Sequence, residues 1–195
     1  VTKVSKVKQD ILLFQKWTFD EISVKDPGLK RYINLTPMTL PHSMGRHEHQ
    51  RFRKARVNIV ERFINGFMRP GKNAGKKARA TNIVKHAFEI IHIRTRKNPI
   101  EILVQAVENS APAEDTTRLS YGGVVYHLSV DIAPQRRIDL ALRNLTEGAR
   151  KNAANNPRSL PETIADELIL AAKNDIKSAG VAKRNEIERI AQSSR

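Results

Sequence analysis

The 195-residue chain carries 35 Lys and Arg against 20 Asp and Glu, a formal charge of +15, and its pI of about 10.4 exceeds the value of ~9 that marks a nucleic-acid-binding domain. The absence of cysteine excludes disulfides, thiolate metal sites and thiol nucleophiles, and it agrees with a reducing compartment, so the cytoplasm is expected. The longest apolar runs, such as 11–14 and 168–172, fall far below the ~18 residues of a membrane span, and the opening residues do not read as a signal peptide, so neither insertion nor secretion is expected.

In chain order, residues 1–50 lack sustained periodicity and contain Asp26-Pro27-Gly28, Thr36-Pro37 and Leu40-Pro41, which are turn or extended signals. They read as an N-terminal arm that orders on its partner, with Trp17, Phe19 and Ile22 as anchors to the main body. Residues 51–195 read as a helical domain. Val57, Val60, Phe63, Ile64 and Phe67 form the first apolar stripe, ended by Pro70-Gly71. A basic turn, 71–77, leads to a second stripe of Ile83, Val84, Ala87, Phe88 and Ile91. Asn98-Pro99-Ile100-Glu101 offers a cap, a proline at the first helical position and a carboxylate at the third, before Ile102, Leu103, Ala106 and Val107.

The period then changes from 3.6 to 2. Strands within 116–130 flank Gly122-Gly123, a pair able to take positive φ at both positions of a two-residue hairpin turn. If Tyr121 faces Val124, then Leu119 faces Tyr126 and Thr117 faces Leu128, and one face is mainly apolar; Arg118, Ser120, Val125 and His127 share the other. Such a hairpin is marginal alone and must lean on the bundle or on a ligand. Helical stripes resume at Pro134 (Ile138, Ala141, Leu142, Leu145), after the capping box Ser159-Leu160-Pro161-Glu162 (Ile164, Leu168, Ala171, Ala172), and from about Val181 through Ile187 and Ile190. The expected fold is mainly α, a bundle of about six helices with a protruding β-hairpin and an extended basic N-terminal arm.

The charge is concentrated. Between Arg46 and Lys97 there are 15 Lys and Arg against Glu48, Glu61 and Glu89, whereas a merely solubilising surface would intersperse both signs. A binding face is therefore the better reading, carried by Arg46, Arg51, Arg53, Lys54 and Arg56, by Lys72, Lys76, Lys77 and Arg79, and by Arg94, Arg96 and Lys97. Arg136 and Arg143, seven apart on one helix face opposite Ile138 and Leu142, extend it with Arg137, because a guanidinium fork suits phosphate. Arg118 on the hairpin joins them. The basic residues occupy turns and a hairpin as well as helices, which is not the single amphipathic helix of a membrane-surface protein.

Several motifs read as decoys. Gly71–Lys77 has one residue too few between its glycines for a nucleotide-binding loop and Lys77 where a hydroxyl would hold magnesium, although its amides and ammonium groups suit an RNA phosphate. His42, His47 and His49 lack the spacing of a helical zinc motif and are expected instead to line an RNA contact. No paired carboxylates or matched histidines support general acid–base work. No cofactor and no metal are expected, and the chain does not read as an enzyme. A DNA architectural or helix-turn-helix protein is the rival reading, weakened by the lack of a recognition-helix pair.

The order of motifs is itself informative. Val60–Lys72 (VERFINGFMRPGK), Ile83–Ile91 (IVKHAFEII), Asn98-Pro99-Ile100, Val107–Pro112 (VENSAP), Val130–Arg137 (VDIAPQRR) and Leu168–Ala172 (LILAA) together resemble the universal small-subunit ribosomal protein seven family over about residues 40–195. Leu40–Arg46 (LPHSMGR) and Glu186–Ala191 (EIERIA) look like its archaeal and eukaryotic branch. The resemblance implies a helical bundle with a β-hairpin arm, bound to the 3′ major (head) domain of small-subunit rRNA, where it nucleates head assembly. It also implies a ribosomal, cytoplasmic location, neighbouring head proteins as partners, and exit-site tRNA and the mRNA exit path nearby. Carried over, Arg53, Lys54, Arg56, Lys72, Lys76, Lys77, Arg136 and Arg137 would contact rRNA, and the arm from Arg118 to Val125, with Tyr121, Gly122, Gly123 and Val124 at its tip, would face the tRNA.

Overall fold

Asn58 accepts a hydrogen bond from the Val60 N–H and starts α2 (Ile59–Gly66), the helix of the first apolar stripe; a single short turn, α1 (Pro27–Lys30), precedes it. The computed structural model describes residues 11–20, 22–45, 47, 49–69 and 73–194, so Pro70 and Gly71 lie outside the described residues. The helix path already ends at Gly66, with Phe67 buried behind it. α3 (Lys77–Thr95) is closed by Arg96 in the left-handed conformation, φ 55°. Asn98 caps α4 (Pro99–Ser110) as its sequence suggests, but Glu101 accepts from Gln105 one turn on rather than completing a box.

After the hairpin come α5 (Pro134–Ala153), α6 (Leu160–Ala172) and α7 (Ala179–Ser193). Ser159 precedes α6 without a side-chain capping bond, so the expected capping box there does not close. Its Thr163 hydroxyl instead donates to the Leu160 carbonyl. Ser178 caps α7 by accepting from Val181 N–H, which starts the helix two residues before the periodicity indicates.

The core sits where α6 packs against α3, α4 and α5, with α7 closing one end. Phe63, Phe88, Ile91, Ile100, Leu103, Ile138, Leu145, Ile164 and Leu168 are all excluded from solvent, each worth roughly 1.5–3 kcal/mol by transfer from water. Two close approaches need small residues. A Cβ on Gly148 of α5 would stand 2.5 Å from the Ala179 Cβ at the start of α7, and one on Gly66 would stand 2.7 Å from Thr146 Cγ2. α5 can therefore lie close to both of its neighbours.

Residues 11–20 and 22–45 find their order on this bundle. Leu13, Phe14, Trp17, Phe19, Leu29 and Ile33 are buried in the common core. The Trp17 ring meets Phe88 of α3 edge-on at 5.9 Å, and Lys16 pairs with Glu89. Asn98 donates to the Thr18 carbonyl at 2.8 Å, and the Ile59 N–H donates to the Asn34 carbonyl at 3.0 Å. The anchoring of Trp17 and Phe19 agrees with expectation. The partner on which these residues order is the chain's own body.

The hairpin pairs β1 (Glu114–Tyr121) with β2 (Val124–Asp131), slightly longer than its sequence boundaries, in the expected register: Tyr121 opposite Val124, Leu119 opposite Tyr126, Thr117 opposite Leu128. Gly122 and Gly123 both take positive φ, 58° and 83°, as a turn matched to strand twist requires. Its base rests on α7, where Glu188 accepts from the Ala113 N–H at 2.9 Å. From Arg118 to Leu128 every residue is exposed.

Candidate nucleic-acid interface

The basic run that is continuous in sequence is divided by α3. At 1.5 Å per residue this 19-residue helix separates its two ends by about 27 Å, so Lys76, Lys77 and Arg79 stand at one end and Arg94, Arg96 and Lys97 at the other. Three basic regions result.

The first and most extensive is a groove between the loop before α2 and the outer face of α5. Arg51 and Lys54, the latter in a 3-10 turn (Arg53–Arg56), meet the start of α5, where a pocket of about 350 Å³ is lined by His47, Arg51, Phe52, Lys54, Gln135, Arg136 and Asp139. It continues along α5 into a second hollow reached by Arg62, Arg69 and Arg143. On the other side of the turn, Arg53 and Arg56 line a hollow with Arg31. The α5 pattern is as expected: Ile138, Leu142 and Leu145 are buried, while Arg136 and Arg143 remain largely exposed on the outer face.

Carboxylates within the groove organise these cations. Asp139 accepts from Lys54 at 2.5 Å and from Arg62 at 2.7 Å, and Glu147 bridges Arg69 and Arg143. Burial pushes the Glu147 carboxyl up, but hydrogen bonds from Arg143 and Arg69 and their charge hold it below the ordinary carboxylate range. Arg51, Arg53 and Arg56 have no carboxylate within ion-pair distance among the described residues, and all three are exposed. Within this region they are the cations most available to an added anion.

The second region is the start of α3. Lys76 and Arg79 are exposed beside Leu40, Pro41 and His42. Lys77 turns inward and donates to Glu61 of α2 at 2.5 Å, where Ser43 also donates through its N–H at 3.0 Å and its hydroxyl at 3.1 Å. Burial raises the Glu61 carboxyl's pKa, yet the Lys77 and Ser43 hydrogen bonds outweigh it and the net shift is downward. Through Glu61, Lys77 fastens α3 to α2, and the same carboxylate holds Ser43. The third region, at the far end of α3, joins Arg94 to Asp166 and places Arg158 and Lys173 around one cleft.

Arg137 is placed differently from its neighbour. Its guanidinium donates to the Pro112 carbonyl at 3.1 Å and pairs with Asp26 at 3.1 Å, leaving the side chain 19% exposed against 65% for Arg136. It ties α1 and the α4–hairpin link to α5. Arg46 and Lys72 lie outside the described residues. Of the histidines, His47 lines the main groove with its Nε2 2.9 Å from the Ser43 hydroxyl, His42 lies beside Lys76, and His49 is exposed. Among the described residues no three His, Asp or Glu side chains gather as metal ligands, and no helix is long and apolar enough to cross a membrane.

Sequence reasoning passed over Arg31, Arg62, Arg69, Phe52 and Gln135, which line these hollows. The signal for two was present: Arg62 and Arg69 are seven apart, the same spacing that singled out Arg136 and Arg143. Phe52 stood inside the basic run as an aromatic among arginines.

The family model for ribosomal protein S7p/S5e matches residues 29–195. The small ribosomal subunit protein uS7 of Cenarchaeum symbiosum is 54% identical over 195 residues, covering 96% of this chain and 98% of that protein. The same-named proteins of Methanothermobacter thermautotrophicus and Methanosphaera stadtmanae are 51% and 49% identical, each across 93% of this chain and 98% and 97% of their own lengths. These relatives are archaeal, the branch indicated by the motifs at 40–46 and 186–191. A match of this extent, on a helical bundle with a hairpin between its fourth and fifth helices, means that the chain belongs to the ribosomal protein S7p/S5e family, structural proteins of the ribosome rather than enzymes.

Proposed function

We propose that this protein binds the 3′ major, or head, domain of small-subunit rRNA, nucleates assembly of the head there, and contacts neighbouring head proteins on the ribosome in the cytoplasm. The observation that carries the reading is the groove along α5, in which Arg51, Lys54, Arg136 and Arg143 converge from two separate segments. Guanidinium forks bind phosphate oxygens in pairs, and a groove lined by them follows a backbone. A-form grooves hide base edges, so shape and phosphate contacts supply most of the affinity. Lys76, Arg79, Arg94, Arg96 and Lys97 make further backbone contacts at the two ends of α3, and Arg46 and Lys72 belong to the same set. Lys77 and Arg137 act from behind by holding the segments that carry the outward cations. The hairpin, with Arg118 and the Tyr121–Val124 tip, reaches toward exit-site tRNA and the mRNA exit path.

The test is competition binding: labelled head-domain transcript challenged by duplex DNA and by unrelated RNA across a salt series. The expected result is a preference for the head transcript that persists as salt rises, with affinity falling linearly in log salt as counterions are released. Equal competition by all three nucleic acids overturns the assignment. Arg136→Ala should weaken binding and lower the salt slope by about one contact while leaving the bundle folded.

A further inference from the structure

Phosphate contacts explain the arginines of the main groove but not the side chains between them. Phe52 sits in the left-handed region, φ 62°, a conformation that disfavours a bulky residue. The effect is to turn an aromatic ring outward on a basic surface, with the residue 56% exposed. The Arg51 guanidinium lies over the ring, 5.1 Å from its centroid.

Across the pocket stands Gln135, in the first turn of α5, which has no side-chain cap. Gln135 is only 7% exposed, and its buried Oε1 has no hydrogen-bond partner; the buried Nδ1 of His47, in the same lining, has none either. A buried unpaired amide oxygen costs about 1–3 kcal/mol. The pocket's 350 Å³ is over ten times the ~30 Å³ share of a water molecule, so the space admits a larger polar group.

Resting on the RNA-binding reading above, we propose that this pocket receives one unpaired nucleotide of the bound RNA, its base stacked on Phe52 and its edge read by the Gln135 carboxamide. The chemistry fits each part. An aromatic ring or an arginine plane is the usual platform for a base turned out of its helix. A carboxamide offers a donor and an acceptor side by side, matching a base edge that presents the complementary pair, as adenine and cytosine do at their exocyclic amino group and adjacent ring nitrogen. Arg51, Lys54 and Arg136 surround the opening to hold the flanking phosphates, and the charge of Asp139 is balanced by Lys54 and Arg62. The groove would then bind the backbone broadly and read sequence at this one point.

The experiment uses the full chain and the head-domain transcript. Phe52→Gly removes the ring while relieving the positive φ, so thermal stability should be unchanged or raised. RNA affinity should nevertheless fall about tenfold, within the range of one base–aromatic stack, with the salt slope unchanged because no phosphate contact is lost. Dimethyl sulfate probing of the wild-type complex should show one unpaired adenine or cytosine protected by the protein, and Gln135→Leu, which keeps the buried volume, should restore that nucleotide's reactivity. Wild-type affinity in both variants overturns the base pocket and leaves the RNA-binding reading standing. A loss accompanied by a lower salt slope also overturns it, since phosphates would then be the ligands. Failure of the wild-type chain to prefer the transcript overturns both.

Discussion

The N-terminal segment and the hairpin are the two parts of this chain that leave the helical bundle, and they treat their apolar residues in opposite ways. Residues 11–45 have no periodicity, yet Leu13, Phe14, Trp17, Phe19, Leu29 and Ile33 are all buried in the bundle's core. The hairpin alternates as regularly as a strand pair can, yet Leu119, Tyr121, Val124, Tyr126, Leu128 and Val130 remain exposed, Tyr121 at 83%. Regular patterning specifies a local structure; it does not say what covers it. Burial of the first segment depends on where α3 and α5 place their gaps, which no window of residues 11–45 contains.

This contrast can be broken most directly by Trp17→Ala, which should cost about 3 kcal/mol in urea unfolding, the lower end for a large aromatic lost from a core. An effect below ~0.5 kcal/mol would show that the N-terminal segment is merely laid on the surface. Next in size, Glu61→Ala should cost about 2 kcal/mol, less than a wholly buried pair because Lys77 can reach solvent. The folded-state pKa of Glu61 is depressed below the ordinary 4.5 of a glutamate carboxyl, so its contribution is fully present above that value and is lost as pH falls through the lowered one. Melting temperatures at pH 6 and pH 3 should therefore differ less for Glu61→Gln than for the wild type.

A finer comparison concerns adjacent residues. Arg137→Ala should destabilise by about 1 kcal/mol through the lost Asp26 and Pro112 contacts, whereas Arg136→Ala should stay within ~0.5 kcal/mol; equal losses would erase the distinction between an inward and an outward arginine. Smallest of all, Tyr121→Ala at the hairpin tip should leave the melting curve within the same ~0.5 kcal/mol. A larger loss would mean that the tip packs on the body in solution.

The helices and the hairpin register were legible because each rests on local rules: the stripe from Val60 to Phe67, the Asn98 cap before Pro99, and the Gly122-Gly123 turn. The candidate interface was legible by composition but not by arrangement. Arg136 and Arg137 are neighbours in sequence and share a residue type, yet Asp26, more than a hundred residues away, decides that one of them turns inward. Lys77 is removed from the outer surface in the same way by Glu61. Arg94 and Lys76 fall in one basic run, and only the length of α3 assigns them to different ends of the molecule. The closing of a capping box is similarly decided beyond the motif, since the Thr163 hydroxyl bonds to the Leu160 carbonyl while Ser159 makes no side-chain cap bond.

The two-stranded hairpin has a further consequence for the protein away from its RNA. Both strands are edges of a two-stranded sheet, and the segment Val124–Val130 combines β-branched and aromatic residues without proline or glycine. Such a strand is a template for pairing with another copy of itself. What opposes this in the free chain is mutual repulsion between molecules that each carry a charge of +15, together with Arg118 and His127 set opposite one another on the hairpin's polar face. Salt screens that repulsion over a Debye length of about 10 Å at 0.1 M, so the conditions that strip the protein from a polyanion are also those that leave its hairpin least protected from self-association.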